Sequence, residues 1–141
     1  MAYLIDTDVI IYSLKGNPAV RDWMLANQNI PKFMSVISYG ELLYGAGKSM
    51  HPDKNLAVAR RVAELFPVID LGKGIMEVFS GLKTKLERAG TKLDDMDLMI
   101  GATAIYMNLS LVTNNKRHFE RIDDLELASW ESEAMQRSVD D

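Results

Sequence analysis

The chain has 141 residues, a formal charge of -4 from 16 Lys and Arg against 20 Asp and Glu, and no Cys. That length lets one domain bury a core without staples, and the lack of Cys excludes disulfides, thiolate metal sites and cysteine nucleophiles, as suits a reducing cytosol. No basic leader precedes an apolar run and no stretch reaches the roughly 20 apolar residues that span a bilayer, so a cytoplasmic protein without a membrane segment is expected; the acidic balance argues against nonspecific coating of nucleic acid but leaves a nuclease open.

Taken in chain order, AYLI (2–5) is a short apolar run that reads as a buried strand, stopped by Asp6 and Asp8, after which VIIYSLK reads as a helix. FMSVI (33–37) reads as a second strand, with SYGELLYG opening the helix behind it. Pro52 marks a helix start, followed by the stripe Leu56, Ala59, Val62, Ala63 and Phe66, and FPVIDL (66–71) reads as a third strand. Ile75, Val78, Phe79, Leu82 and Leu86 form the next helical stripe; Met96, Met99, Ile100, Thr103, Ala104 and Met107 form another, with Met as core filling. LSLVT (109–113) is the fourth strand. Strands alternating with helices predict a parallel sheet covered on both faces, hence an α/β fold. One domain is expected over residues 1–130, with a polar tail at 131–141.

In open α/β sheets function gathers at the carboxyl ends of strands. Asp6 follows the first strand, Glu41 lies just beyond the second, Asp94, Asp95 and Asp97 open the Met96 helix, and Asn114 and Asn115 follow the fourth strand. Each has an ordinary structural reading: Ser38 and Glu41 have capping-box spacing, Asp94 and Asn115 suit N-caps, and Asp97 suits the helix dipole. Their convergence on one sheet edge carries more weight. Carboxylates brought together must take up a proton or a cation. With no Cys and only His51 and His118, an all-oxygen site suits Mg²⁺ or Mn²⁺ better than zinc, and the chemistry implied is hydrolysis of a phosphodiester or phosphate ester.

The segments YLIDTDVII, SYGELLYGAGKS, DDMDLMIGATA, LVTNNKRHFERI and LELASW, in that order, resemble the PIN-domain ribonucleases and, within them, VapC-type toxins of toxin and antitoxin pairs. The resemblance implies a three-layer α/β/α sandwich with a mainly parallel sheet, and Mg²⁺-dependent endoribonuclease action in which water attacks the phosphate in line and a 3′-hydroxyl leaves. Residue by residue, Asp6, Glu41 and Asp97 match the family's metal ligands, bound directly or through water. Where the family often has a fourth acid this chain has Asn115, a candidate to complete the site through its carbonyl or by holding a metal-bound water, and Glu120 is the alternative candidate, supplying the missing carboxylate. Thr113 is a candidate to bond a carboxylate or water, and Asp8 to cap the first helix and hold a metal-bound water. Lys48, Lys116, Arg117 and Arg121 are candidate RNA contacts, and His118 reads as a surface or half-buried side chain.

The resemblance further implies transfer RNA as a common target class, inhibition of translation, a homodimer, and a VapB-type antitoxin through which alone DNA is met. Tyr12, Trp23, Leu43 and Tyr44 are candidates for the antitoxin groove. Two rival readings remain. In a haloacid-dehalogenase-like phosphatase, Asp6 would be the nucleophile and Asp8 the acid, but Glu41 would have no purpose; in a catalytically silent PIN module one of the core acids should be missing.

Overall fold

The structure, a computed structural model, describes residues 1–130; the expected tail at 131–141 lies outside the described residues. The strands are β1 (Tyr3–Ile5), β2 (Lys32–Ser35), β3 (Val68–Ile69), β4 (Ser110–Val112) and β5 (Leu127–Ala128), all parallel in the order β3-β2-β1-β4-β5. The helices are α1 (Thr7–Leu14), α2 (Pro18–Ala26), α3 (Val36–Gly47), α4 (Pro52–Leu65), α5 (Lys73–Arg88), α6 (Asp95–Tyr106) and α7 (Lys116–Phe119).

Side chains alternate across a strand, and here the alternation sorts two cores. Leu4 and Leu111 join Leu86, Leu98, Ile100 and Phe119 on one face, while Ile5, Met34 and Val112 join Val9, Ile10, Val20, Leu42 and Val62 on the other. The sheet is therefore buried on both faces, as the apolar runs of its strands require, and the molecule is the three-layer α/β/α sandwich.

Three expectations are corrected. The second strand stops at Ser35, whose hydroxyl accepts from Ile37 N–H at 3.1 Å and caps α3, so Val36 and Ile37 are helical. The third strand is only Val68–Ile69, and Phe66 is the C-cap of α4. Met96 and Met107 are not core: α6 buries Leu98 and the run Ile100 to Ala104, leaving those two Met about half exposed. Packed between α5 and the sheet, α6 is apolar nearly all round, so a single stripe does not describe it. The two-residue β5 is too short for periodicity to mark it, and α2, opened by the Asn17 cap and Pro18, is absent from the expected elements although that start signal is present.

Candidate active site

The chain leaves β1 toward β2 on one side and returns to β4 on the other, so the carboxyl ends of β1 and β4 form the switch point where open α/β sheets place ligands. Asp6 and Thr113 stand there. Asp6 keeps extended dihedrals, φ -69 and ψ 155, and its backbone N–H still donates to Val112 C=O. Its side chain caps α1, with Oδ1 accepting from Thr7 N–H at 2.9 Å, while Oδ2 accepts from the buried Thr113 hydroxyl at 2.7 Å. Thr113 Oγ1 in turn accepts from Asn115 N–H at 2.9 Å. Thr113 thus bonds a carboxylate and holds it in one orientation.

Asp8 does not cap α1, because the strand ends at Ile5 and Asp6, two residues before Asp8, takes that place. Asp8 sits in the first turn, where Oδ2 accepts from Asn114 N–H at 3.2 Å and Oδ1 is buried without a hydrogen-bond partner among the described residues. A buried carboxylate oxygen left unpaired is costly, so this atom is poised for a donor or a cation.

Ser38 and Glu41 form no capping box, since Ser35 is the cap. Both instead meet Thr7 Oγ1, at 2.8 Å from Ser38 Oγ and 2.9 Å from Glu41 Oε1. A hydroxyl has one proton, so beside an ionised Glu41 the Thr7 hydroxyl donates to the carboxylate and accepts from Ser38. Asp97 lies in the first turn of α6, whose N-cap is Asp94, accepting from Met96 N–H at 3.3 Å. His118 Nδ1 is 3.7 Å from Asp97 Oδ2 and 2.8 Å from Asn115 Nδ2. Asn115 occupies the N-cap position of α7, but its side chain makes no cap bond and turns to His118 instead.

The carboxyls share one electrostatic environment. Burial, then the charge of Asp8, push Asp6 from 3.8 to about 7, with Asp97 adding to the rise and the Thr113 and Thr7 donors opposing it. Burial likewise raises Asp8, with Asp97 contributing. Glu41 is raised by burial and by Asp97, Asp94 and Asp8, against the Thr7 bond. Asp97 is raised by burial and Asp94, against His118.

The structure thus brings Asp6, Asp8, Glu41, Asp97, Thr113 and Asn115 to one sheet edge. Glu120 does not join them: it is the exposed C-cap of α7, and none of the four carboxyls feels its charge. Lys48 lies 4.8 Å from the Tyr44 ring centroid and lines a groove of about 670 Å³ with Thr7 and Glu41. Lys116 and Arg117 line a smaller cleft with Thr113. Arg121 lines neither; its guanidinium donates to Lys92 C=O at 2.9 Å. Of the residues expected to form the antitoxin groove Tyr44 lines it, 70% exposed, whereas Tyr12, Trp23 and Leu43 pack against the core that holds Ile5, Met34 and Val112. Sequence reasoning missed Thr7, the field of Asp94 and the His118 contact to Asp97. A Thr directly behind the strand-end acid was the available signal for the first; the others need α6 and α7 placed.

Among the described residues no three acidic or His side chains gather closely enough to hold one ion between them. The donors are nonetheless all hard oxygens, crowded enough to raise one another, with one buried oxygen unpaired. That set fits Mg²⁺, which keeps much of its water and takes one or two carboxylates directly, rather than an ion in a dedicated protein cage.

A sequence profile of the PIN domain matches residues 3–125. Over 92% of this chain and 98% of the relative, it is 34% identical to "Ribonuclease VapC2" of Haemophilus influenzae, and 33% identical over the same shares to "tRNA(fMet)-specific endonuclease VapC" of Shigella flexneri. Among solved structures it resembles VapBC2 from Rickettsia felis bound to a DNA fragment from their promoter, with TM-score 0.84 and 30% identity over 93% of this chain and 100% of that one. It also resembles DNA-bound VapBC from Salmonella typhimurium, with TM-score 0.85 and 32% identity over 92% and 98% of the two chains. A profile spanning most of the chain, and relatives spanning nearly all of it, set the phosphatase reading aside: the chain belongs to the PIN-domain family, in its VapC group.

Proposed function

We propose that this protein is a Mg²⁺-dependent endoribonuclease, the toxin of a toxin and antitoxin pair, with Mn²⁺ as an alternative ion. The observation that carries the reading is Asp6, buried at the switch point and raised to about 7 by burial and acidic neighbours. A protein holds such a group at a cost, and a cation that relieves it is the simplest use of that cost. The names of the VapC relatives point the same way.

Asp6, Glu41 and Asp97 are the residues that would hold the ion, directly or through water, with Glu41 oriented by Thr7. When bound, the ion neutralises phosphate charge and acidifies a water. Thr113 and Thr7 N–H fix the Asp6 carboxylate, and His118 and Asn115 fix the edge of Asp97. Lys48, Lys116 and Arg117 flank the acids and are assigned to RNA phosphates, which take their contacts from such cations; Arg121 contributes by tethering the loop before α6.

Transfer RNA is the proposed substrate class and inhibition of translation the consequence, in the cytoplasm; among the described residues no helix is long and apolar enough to cross a membrane. The proposed partner is a VapB-type antitoxin, as the resemblance to VapBC complexes supports, and DNA is proposed to be met only through it. Its seat is the groove lined by Ile11, Ile37, Tyr44 and Met96 beside Glu41. A homodimer is proposed as the working form. The test compares RNA cleavage by wild type and Asp6→Asn with Mg²⁺ and with excess chelator: cleavage that needs both the ion and Asp6 is expected, and equal cleavage by the variant, or cleavage undiminished in chelator, refutes the site.

A further inference from the structure

The cleft bounded by Thr113, Lys116, Arg117 and Trp130 differs from the larger groove beside Glu41. It is small, about 240 Å³, and its lining is mostly polar, with one indole at the side. Thr113 belongs to it while its hydroxyl bonds Asp6, so anything seated there is one side chain from the buried acid. Trp130 is half-buried, held by Tyr12 with ring centroids 6.2 Å apart and planes tilted at 50°. The Tyr12 hydroxyl accepts from Asn114 Nδ2 at 3.2 Å, and Asn114 N–H donates to Asp8. The indole is therefore anchored to the acid site through two residues, yet keeps exposed surface at the cleft.

Lys116 and Arg117 make no ion pair among the described residues, although the chain is acidic overall. An aromatic platform, two cations and side-chain amides around a space suited to one planar ring system match a single nucleotide. Bases stack on indole faces, phosphates take cations, and amides read base edges.

We propose that this cleft binds one unpaired nucleotide of the RNA, adjacent to the phosphate under attack, with its base stacked on Trp130 and its phosphate on Lys116 and Arg117. The inference rests on the RNA-cleaving reading and adds to it a requirement that the substrate be single-stranded there, because a base within an A-form helix is stacked on its neighbours and offers no free face.

The test uses fluorescence. Trp23 and Trp130 are the two Trp of the chain; both pack against the same core, but Trp23 lies against the Tyr3 ring and lines no part of the cleft. In a Trp23→Phe, Asp6→Asn protein, titration with a short single-stranded oligoribonucleotide should quench Trp130 saturably, and the same strand in a duplex, or abasic at one position, should bind several-fold more weakly. In the cleaving protein, Trp130→Ala should raise KM by about tenfold, the scale of one lost base stack, with kcat within about twofold. Trp130→Phe should recover most of the KM and guards against a folding defect. Binding of labelled RNA without quenching, equal affinity for duplex, or an unchanged KM in Trp130→Ala overturns the proposal. Quenching without any Mg²⁺-dependent cleavage upholds the nucleotide site and refutes the enzyme reading; Asp6-dependent cleavage without quenching does the reverse.

Discussion

The elevated Asp6 carboxyl makes a quantitative prediction about stability. Its rise from 3.8 to about 7 means that between those pH values the native state holds a proton the unfolded chain has released. Stability therefore falls as pH rises through that window, the penalty being absent below the lower value and complete above the upper. At roughly 1 to 2 kcal/mol per pH unit the full penalty is about 4 kcal/mol, of which well over half develops between pH 5 and pH 8. Asp6→Asn removes the titration while keeping the shape. In chelator, the melting temperature of Asp6→Asn minus that of wild type should grow across this range by about 10 °C, taking about 4 °C per kcal/mol for a domain of this size. The raised carboxyls of Asp8, Glu41 and Asp97 titrate in both proteins and largely cancel in the difference. Excess Mg²⁺ should stabilise wild type more at pH 8 than at pH 5, since protons compete for the same oxygens, and should do little for the variant. A difference between the two melting temperatures that stays constant with pH in chelator would refute the claim that Asp6 stores this energy.

Thr7→Val removes the hydroxyl joining Ser38 to Glu41; cleavage should fall tenfold or more while stability changes by about 1 kcal/mol, the net worth of a hydrogen bond, and an unchanged kcat would deny Glu41 its role. Phe119→Ala empties a fully buried position and should cost about 3–5 kcal/mol in urea denaturation; because α7 is four residues long, His118 and Asn115 should loosen with it and activity should drop even where the protein stays folded. Gly90 has φ 73 where α5 ends and the chain turns toward Asp94; Gly90→Ala should cost about 1 kcal/mol by the left-handed penalty, and a neutral melting temperature would show that the turn adjusts.

Much of the fold was legible because it rests on local pattern. AYLI and LSLVT became β1 and β4, and Pro52 starts α4 as its position demanded. The errors have one physical source. In FMSVI the apolar residues run on without a break, so the strand's end is invisible to hydrophobicity; it is set by Ser35, whose hydroxyl takes a helix donor and turns the chain. Met96 and Met107 read as core in the sequence because Met often is, but Met96 lies in the first turn of α6 and Met107 is its C-cap, so both fall at the helix ends while Leu98 and Ile100 to Ala104 fill the buried middle.

For the site, the strand-end acids were readable since a carboxylate after a buried strand is a local fact, whereas the groups that orient them are tertiary. Thr113 reaches Asp6 across 107 positions and Thr7 reaches Glu41 across 34. The exchange of roles between Asp6 and Asp8 shows why proximity in sequence misleads. A carboxylate has about four acceptor positions, so capping a helix and serving a site are not competing duties. Asp6 does the first with one oxygen and accepts from Thr113 with the other, leaving lone pairs on both. Asp8, assigned the cap, is the residue with an unpaired buried oxygen. It therefore has capacity to bind alongside the capping Asp6, and Asp8→Asn, which puts an amide beside Asn114 N–H or at the unpaired position, should weaken Mg²⁺ binding measurably while leaving the α1 cap in place.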